Sequence, residues 1–204
     1  MDKSVQISLT EFMDYVNSSG PAKATVVSQA KKKREEGHNK QADYWMQFRN
    51  AVKKIHTSNG SKDELYEVVE RVHEDRQNNY NAAIRGYLSF WGNKKISWIA
   101  PPRKVVMVGG TRVSLNPELG LSFKGKTYFI KLFIHVDRTL DKRHADMILS
   151  LMKNKLSDEL PEDTNVAVLD VMRGKLFEFK NENFKITQLL EAEGASFNIL
   201  WETL

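Results

Sequence analysis

The chain has 204 residues, 41% of them hydrophobic and 28% charged, with a formal net charge of +5. That composition suits a soluble globular protein of one or two domains, and no apolar run reaches the roughly 18 to 20 residues that a membrane-spanning helix needs. The lack of cysteine excludes disulfides, thiolate metal sites and thiol nucleophiles, and Met1-Asp2-Lys3-Ser4 opens no signal peptide, so a cytoplasmic location is expected.

From the start of the chain, Ser8 and Glu11 stand at the spacing of a capping box, in which each side chain satisfies a free backbone donor at a helix N-terminus. The helix they open should turn Phe12 and Val16 inward and stop near Ser18-Ser19-Gly20-Pro21, where Pro21 can begin a second helix carrying Ala24, Val27 and Ala30. Lys31, Lys32, Lys33 and Arg34 form the strongest basic run. Such a run can neutralise backbone phosphates, which makes it a candidate nucleic-acid surface, DNA first; followed by Glu35-Glu36, it also fits a solvated helix face. Tyr44, Trp45 and Phe48 are interleaved with Arg49, Lys53 and Lys54, but Trp45, Phe48, Val52 and Ile55 recur at helical spacing and belong in a core rather than on a base-stacking platform. His56 to Gly60 reads as a turn, and Ser61 with Glu64 as a second capping box. Leu65, Val68, Val69, Val72, Tyr80, Ala83, Ile84, Tyr87, Leu88 and Trp91 then mark one face of a single long helix ending at Gly92. Arg76 falls within that stripe as a snorkelling side chain, and Glu67, Glu70, His73 and Asp75 are expected on the surface.

Ile96 to Ile99 and Lys104 to Val108 read as short strands split by Pro101-Pro102, with Gly109-Gly110 as a turn before the next strand. Lys124-Gly125 between two runs of strand-forming residues signals a two-residue hairpin. Counting back from that turn places Leu121 opposite Tyr128, Leu119 opposite Ile130, Leu115 opposite Ile134 and Val113 opposite Val136. The other face pairs Gly120 with Phe129, Glu118 with Lys131, Asn116 with Phe133, Ser114 with His135 and Arg112 with Asp137. The sorting of apolar and polar pairs supports this register. Leu140 to Leu156 is helical, with Ala145, Ile148, Leu149, Met152 and Leu156 on the buried side. Val166 to Val171 is an interior strand that turns at Arg173-Gly174 into Lys175 to Lys180. Leu189 to Ala192 begins a terminal helix or turn, docked by Phe197, Ile199, Leu200 and Trp201. The order defines an α+β protein: a helical region over residues 1–93 and a mixed-sheet domain over 94–204, packed as one unit, with strand, strand, strand, helix, strand, strand in the second part.

Lys131 is the odd residue, because a lysine between Phe129 and Phe133 on one strand face loses hydration unless an acceptor reaches it. Glu118 is its derived partner, as a structural cross-strand ion pair or as part of a metal and phosphate site. Pro117-Glu118, ten residues, then Phe129-Ile130-Lys131 resembles the PD-(D/E)XK nuclease superfamily. That resemblance implies a restriction-endonuclease-like sheet and a nucleic-acid partner. In a catalytic member, Glu118 would be the first acid and a Mg²⁺ ligand, and Lys131 the lysine that orients or activates the attacking water. Phe129 stands where the second metal-binding acid would be. Either a displaced acid, Asp137 or Asp170, replaces it, with His135 as a neighbouring base or metal neighbour, or the site is catalytically silent. Outside that family, the chain would be a structural or regulatory interaction module in which Glu118 and Lys131 form only a salt bridge. The five histidines form no HExxH, and there is no GxSxG, P-loop or Rossmann glycine pattern.

Overall fold

The computed structural model describes residues 6–35 and 43–204. Both capping boxes form. Ser8 Oγ accepts from the Glu11 N–H at 3.1 Å while a Glu11 oxygen accepts from the Ser8 N–H at 2.8 Å, which opens α1 (Leu9–Asn17). Immediately before it, β1 (Gln6–Ser8) adds a short strand that the sequence did not announce, since three residues are too few to show a period. Pro21 opens α2 (Pro21–Glu35), which buries Val27 and Ala30, and α3 (Met46–Thr57) buries Phe48, Val52 and Ile55. The Ser61–Glu64 box caps a 3₁₀ turn over Lys62–Leu65.

The single long helix expected from residue 65 to 91 is instead broken. It becomes α4 (Glu67–Arg71) and α5 (Glu74–Trp91), with Val72 extended between them at φ −94° and ψ 156°. The stretch from His73 to Asn79 carries no apolar side chain, so an unbroken helix would have pressed polar groups onto the core. The restart at His73 also puts Glu74 and Asp75 in a first turn, where the helix dipole favours acids.

The hairpin at Lys124-Gly125 is present, with positive φ at both residues (52° and 73°), as a two-residue primed turn requires. It joins β5 (Leu119–Phe123) to β6 (Lys126–Phe133) in the derived register: Leu119 opposite Ile130, Gly120 opposite Phe129, Leu121 opposite Tyr128. Beyond the Glu118–Lys131 contact the derived pairing fails. β4 (Thr111–Leu115) pairs antiparallel with β3 (Lys104–Val108) across the Gly109-Gly110 turn, with Val106 opposite Val113 and Lys104 opposite Leu115. Leu115/Ile134, Val113/Val136, Asn116/Phe133, Ser114/His135 and Arg112/Asp137 are therefore not cross-strand partners. Pro117 cannot donate to a ladder, and it marks where the chain leaves one sheet for the other.

Two sheets result, one ordered β1-β4-β3 and the other β2-β5-β6-β7-β8. In the second, β2 (Ser97–Trp98) flanks β5, β7 (Thr164–Asp170) runs parallel to β6, and β8 (Lys175–Glu178) returns antiparallel to β7. The crossover from β6 to β7 is α6 (Lys142–Leu156), capped by Asp141, whose carboxylate accepts from the His144 N–H at 2.8 Å. The chain closes with α7 (Phe184–Thr203). Helices and strands thus form an α+β architecture in which the larger sheet lies between two cores. One holds Leu121, Ile130, Leu132, Ala167 and Leu169 against α3, α4 and α5. The other packs Val166 and Val168 with α1, α6, α7 and the smaller sheet. Glycine sets how closely α7 sits on that smaller sheet: a Cβ at Gly194 would lie 2.0 Å from the Val108 carbonyl oxygen. Among the described residues no helix is long and apolar enough to cross a membrane.

The segment read as a turn at His56 hides a buried polar contact. His56 is 4% exposed, its Nε2 lies 2.6 Å from the Tyr87 hydroxyl, and its ring packs 4.4 Å from that of Trp91. Burial pushes the imidazole down to about 4, and raises the Tyr87 phenol, so both stay neutral. The unfolded chain takes up a proton on His56 below about pH 6.5, whereas the folded chain resists until about 4. Stability linked to His56 is thus intact above pH 6.5 and is lost as pH falls through 4, by roughly 3 kcal/mol in all. Urea unfolding of His56→Gln, which can still hydrogen-bond to Tyr87, should show a flatter stability profile across that window. A profile as steep as that of the parent protein would assign the acid sensitivity to another group.

Candidate functional site around Glu118 and Lys131

Glu118 sits just before β5 and reaches across to β6. Its Oε1 accepts from Lys131 Nζ, and its Oε2 accepts from the Leu132 N–H at 2.8 Å. The two side chains are 17% and 14% exposed, so the pair is largely screened from water and each charge depends on the other. Lys131 lies opposite Val168 on the parallel neighbour β7, which puts Phe129, Lys131 and Phe133 on one face with Val166, Val168 and Asp170.

Of the two displaced acids, Asp170 shares that face and Asp137 does not join it; Asp137 lies exposed beyond the end of β6. Asp170 is one strand over from Lys131 and two residues further on, a Cα separation of about 8 Å from ordinary sheet spacings. Its carboxylate is fully buried and already engaged. One oxygen accepts from the Leu140 N–H at 3.1 Å at the entry to α6, and the other lies 3.4 Å from Arg173 Nη1. Arg173 also donates to the Arg138 carbonyl at 3.2 Å, while the Arg138 guanidinium reaches Asp14 and His135, each at 3.1 Å. The His135 ring rests on Phe133 with centroids 4.4 Å apart. Burial, and then Arg138, push this histidine below its ordinary value against the opposing pull of Asp14 and Asp170. Asp14 and Arg138 are separated by most of the chain, so no spacing rule could have joined them to His135. Ser114, its derived partner, accepts instead from Gln6 Nε2 at 2.8 Å.

A divalent cation such as Mg²⁺ needs several oxygen donors in near-octahedral array. Both Glu118 oxygens are engaged by Lys131 and Leu132, and Asp170 is held by the α6 entry and Arg173. Phe129, 2% exposed, contributes no donor; its ring lies over Gly120, where a Cβ would stand 3.1 Å from Phe129 Cε1. Among the described residues no three His, Asp or Glu side chains gather as a metal shell. The residues around Glu118 therefore do not fit a divalent ion.

The basic run ends α2. Lys32 and Lys33 are exposed, but Lys31 and Arg34 lie over the Trp201 ring at 5.6 and 5.4 Å. Arg34 Nε also donates to the Gln6 carbonyl at 3.2 Å, and Glu11 lies 3.4 Å from Lys33 and 3.6 Å from Arg34. Burial works to raise the Glu11 carboxyl, yet the hydrogen bonds from Ser8 and the charges of Arg34 and Lys33 hold it below its ordinary value. Lys31, Lys33 and Arg34 thus bind α2 to β1, α1 and α7.

No family model and no curated protein matches the chain. Among solved structures it is similar to the crystal structure of SSO0001, at 12% identity and a TM-score of 0.37, over 95% of this chain and 76% of that one. A likeness at that level carries no argument about fold or function.

The geometry makes a stability prediction. Lys131→Met leaves the Glu118 carboxylate with only a backbone donor in a screened setting, and should cost about 1 to 3 kcal/mol in chemical unfolding. Glu118→Gln with Lys131→Met together should lose less than the sum of the single losses, because the second change removes the stranded charge. Strict additivity would show that the two side chains do not act as a pair.

Proposed function

We propose that this chain is a nucleic-acid-binding protein built on a PD-(D/E)XK-like sheet, with Glu118 and Lys131 as a silent site that holds β5 to β6. One observation carries the reading. The glutamate and the lysine of the resembling motif meet at one end of a β5–β6 hairpin that is followed by a crossover helix and a parallel strand. The silent reading is supported by Phe129, which stands at the second acid's place in the resembling motif, and by a Glu118 carboxylate with both oxygens engaged. The formal charge of +5 suits a polyanionic partner, with DNA as the first candidate and Lys31, Lys32, Lys33 and Arg34 as the contributing surface. Lys32 and Lys33 are the more exposed members, although Lys33 also lies 3.4 Å from Glu11. A cytoplasmic location belongs to the same proposal, since a chain without cysteine loses nothing in a reducing compartment.

The test pairs binding with cleavage. The protein should bind labelled single- or double-stranded DNA with an affinity that falls as salt rises, and Lys32→Ala with Lys33→Ala should flatten that dependence by about one to two counterion terms. Addition of Mg²⁺ or Mn²⁺ should produce no cleavage above background. Cleavage that vanishes in both Glu118→Ala and Lys131→Ala, with the variants still folded, would replace the silent site by an active one. Absence of any salt-sensitive binding to DNA or RNA would leave Glu118 and Lys131 as a salt bridge in an interaction module.

A further inference from the structure

Where α5 ends, lysines from three separate segments converge. Lys62, in the 3₁₀ turn, donates to the Gly92 carbonyl at 2.5 Å and lies 5.2 Å over the Trp91 ring. Lys94 donates to the Phe90 carbonyl and stands 4.7 Å over the Phe90 ring and 5.9 Å from that of Phe123. Lys124 comes from the tip of the β5–β6 turn. Burial first, and then the charges of Lys124 and Lys62, lower the pKa of Lys94, so both neighbouring cations lie within electrostatic reach of it. Among the described residues none of the three forms an ion pair with a carboxylate. Asp63 and Glu64 follow Lys62 in the chain, but Glu64 is turned back to the Ser61 N–H at 2.7 Å. Lys62 and Lys94 are half-buried and Lys124 is exposed, as are Lys95 and Lys126, next in sequence to two of the three segments.

The helix C-terminus supplies only about half a negative charge, which steadies one lysine but cannot balance three. The contrast with α2 is chemical: there Glu11 answers Lys33 and Arg34, whereas here Lys62 and Lys94 are held by carbonyl groups and rings, with no carboxylate partner among the described residues, and Lys124 stands exposed at the turn beside them. Ammonium groups that are positioned in advance and lack acids are suited to an extended anion that can meet several at once, releasing one bound counterion for each contact. We infer that Lys62, Lys94 and Lys124 form a phosphate-binding surface that engages successive phosphates of a nucleic-acid strand. This inference rests on the nucleic-acid reading above and places its main contact away from the basic run of α2.

The experiment uses the full chain with Lys62→Gln, Lys94→Gln and Lys124→Gln combined, because glutamine keeps a donor for the Gly92 and Phe90 carbonyls while removing the charge. A matched control removes the same charge at Lys175, Lys180 and Lys185. Affinity for labelled single- and double-stranded DNA is measured over a salt series, and thermal stabilisation by tripolyphosphate is measured in parallel. The combined variant should lose about tenfold or more in DNA affinity, and its salt dependence should be shallower by about two to three counterion terms, while the control loses less than half of that. It should also lose the stabilisation by tripolyphosphate. Unchanged DNA affinity and slope in a folded variant would overturn the inference. If the parent protein binds tripolyphosphate through these lysines but binds no DNA or RNA, the nucleic-acid ligand is overturned along with the reading it rests on, and only an anion site remains. Should the combined variant fail to fold, Lys124→Gln alone, at an exposed turn tip, must still flatten the salt dependence by about one term.

Discussion

β6 is covered on both faces, and that constraint organises the rest of the molecule. A strand flanked by β5 and β7 has its backbone groups satisfied within the sheet, but its side chains need two separate apolar layers. Helices α3 to α5 supply one; α1, α6 and α7 with the smaller sheet supply the other. Away from the turn, the one charge on this strand is Lys131, and a lysine in such a position needs an acceptor inside the fold. Glu118 meets that need from the neighbouring chain segment. The same carboxylate takes the Leu132 N–H, where β5 no longer reaches β6 to accept it. One side chain therefore neutralises a cation and completes the backbone bonding of the central strand.

That double duty bears on chemistry. A carboxylate that binds a metal ion must have oxygens free to face it, and Glu118 has committed both. On the proposed reading the position of the second acid is held by Phe129, which is buried and has its ring edge close to Gly120. An acid at 129 would, on that reading, vacate a packed position as well as add a ligand. Asp170 lies on the correct face, but it has been drawn into the loop at the start of α6, where it satisfies Leu140 and meets Arg173.

Positive charge divides along similar lines. Lys31, Arg34 and Lys33 look in sequence like the chief polyanion surface, yet much of their charge is turned inward, onto Trp201, Gln6 and Glu11. Lys62, Lys94 and Lys124, which no run or spacing connects, meet only because α5 ends beside the β5–β6 turn. Lys62 and Lys94 are held by the C-terminal carbonyl groups of a helix and by aromatic rings, while Lys124 comes with the β5–β6 turn; these meet only once the helix has docked on the sheet.

What the sequence by itself determined is local. The two capping boxes, the glycine-containing hairpin at Lys124-Gly125, the near register from Leu119 to Lys126 and the Glu118–Lys131 meeting all depend on contacts a few residues from a turn or a cap, where backbone geometry leaves little choice. The tertiary structure decided the rest. β4 could sort its apolar residues equally well against β6 or β3, so side-chain pattern could not choose; the break at Pro117 and the short Gly109-Gly110 loop favoured β3. The helix expected through residue 72 was interrupted because polar residues 73–79 would have met a core whose position only the packed sheet defines. His56 became a buried partner of Tyr87, and Asp170 a partner of Leu140, through contacts spanning 31 and 30 residues. Burial and charge are properties of the surroundings a side chain ends up in, and for these residues the surroundings come from distant segments, which is why only the folded chain could assign their roles.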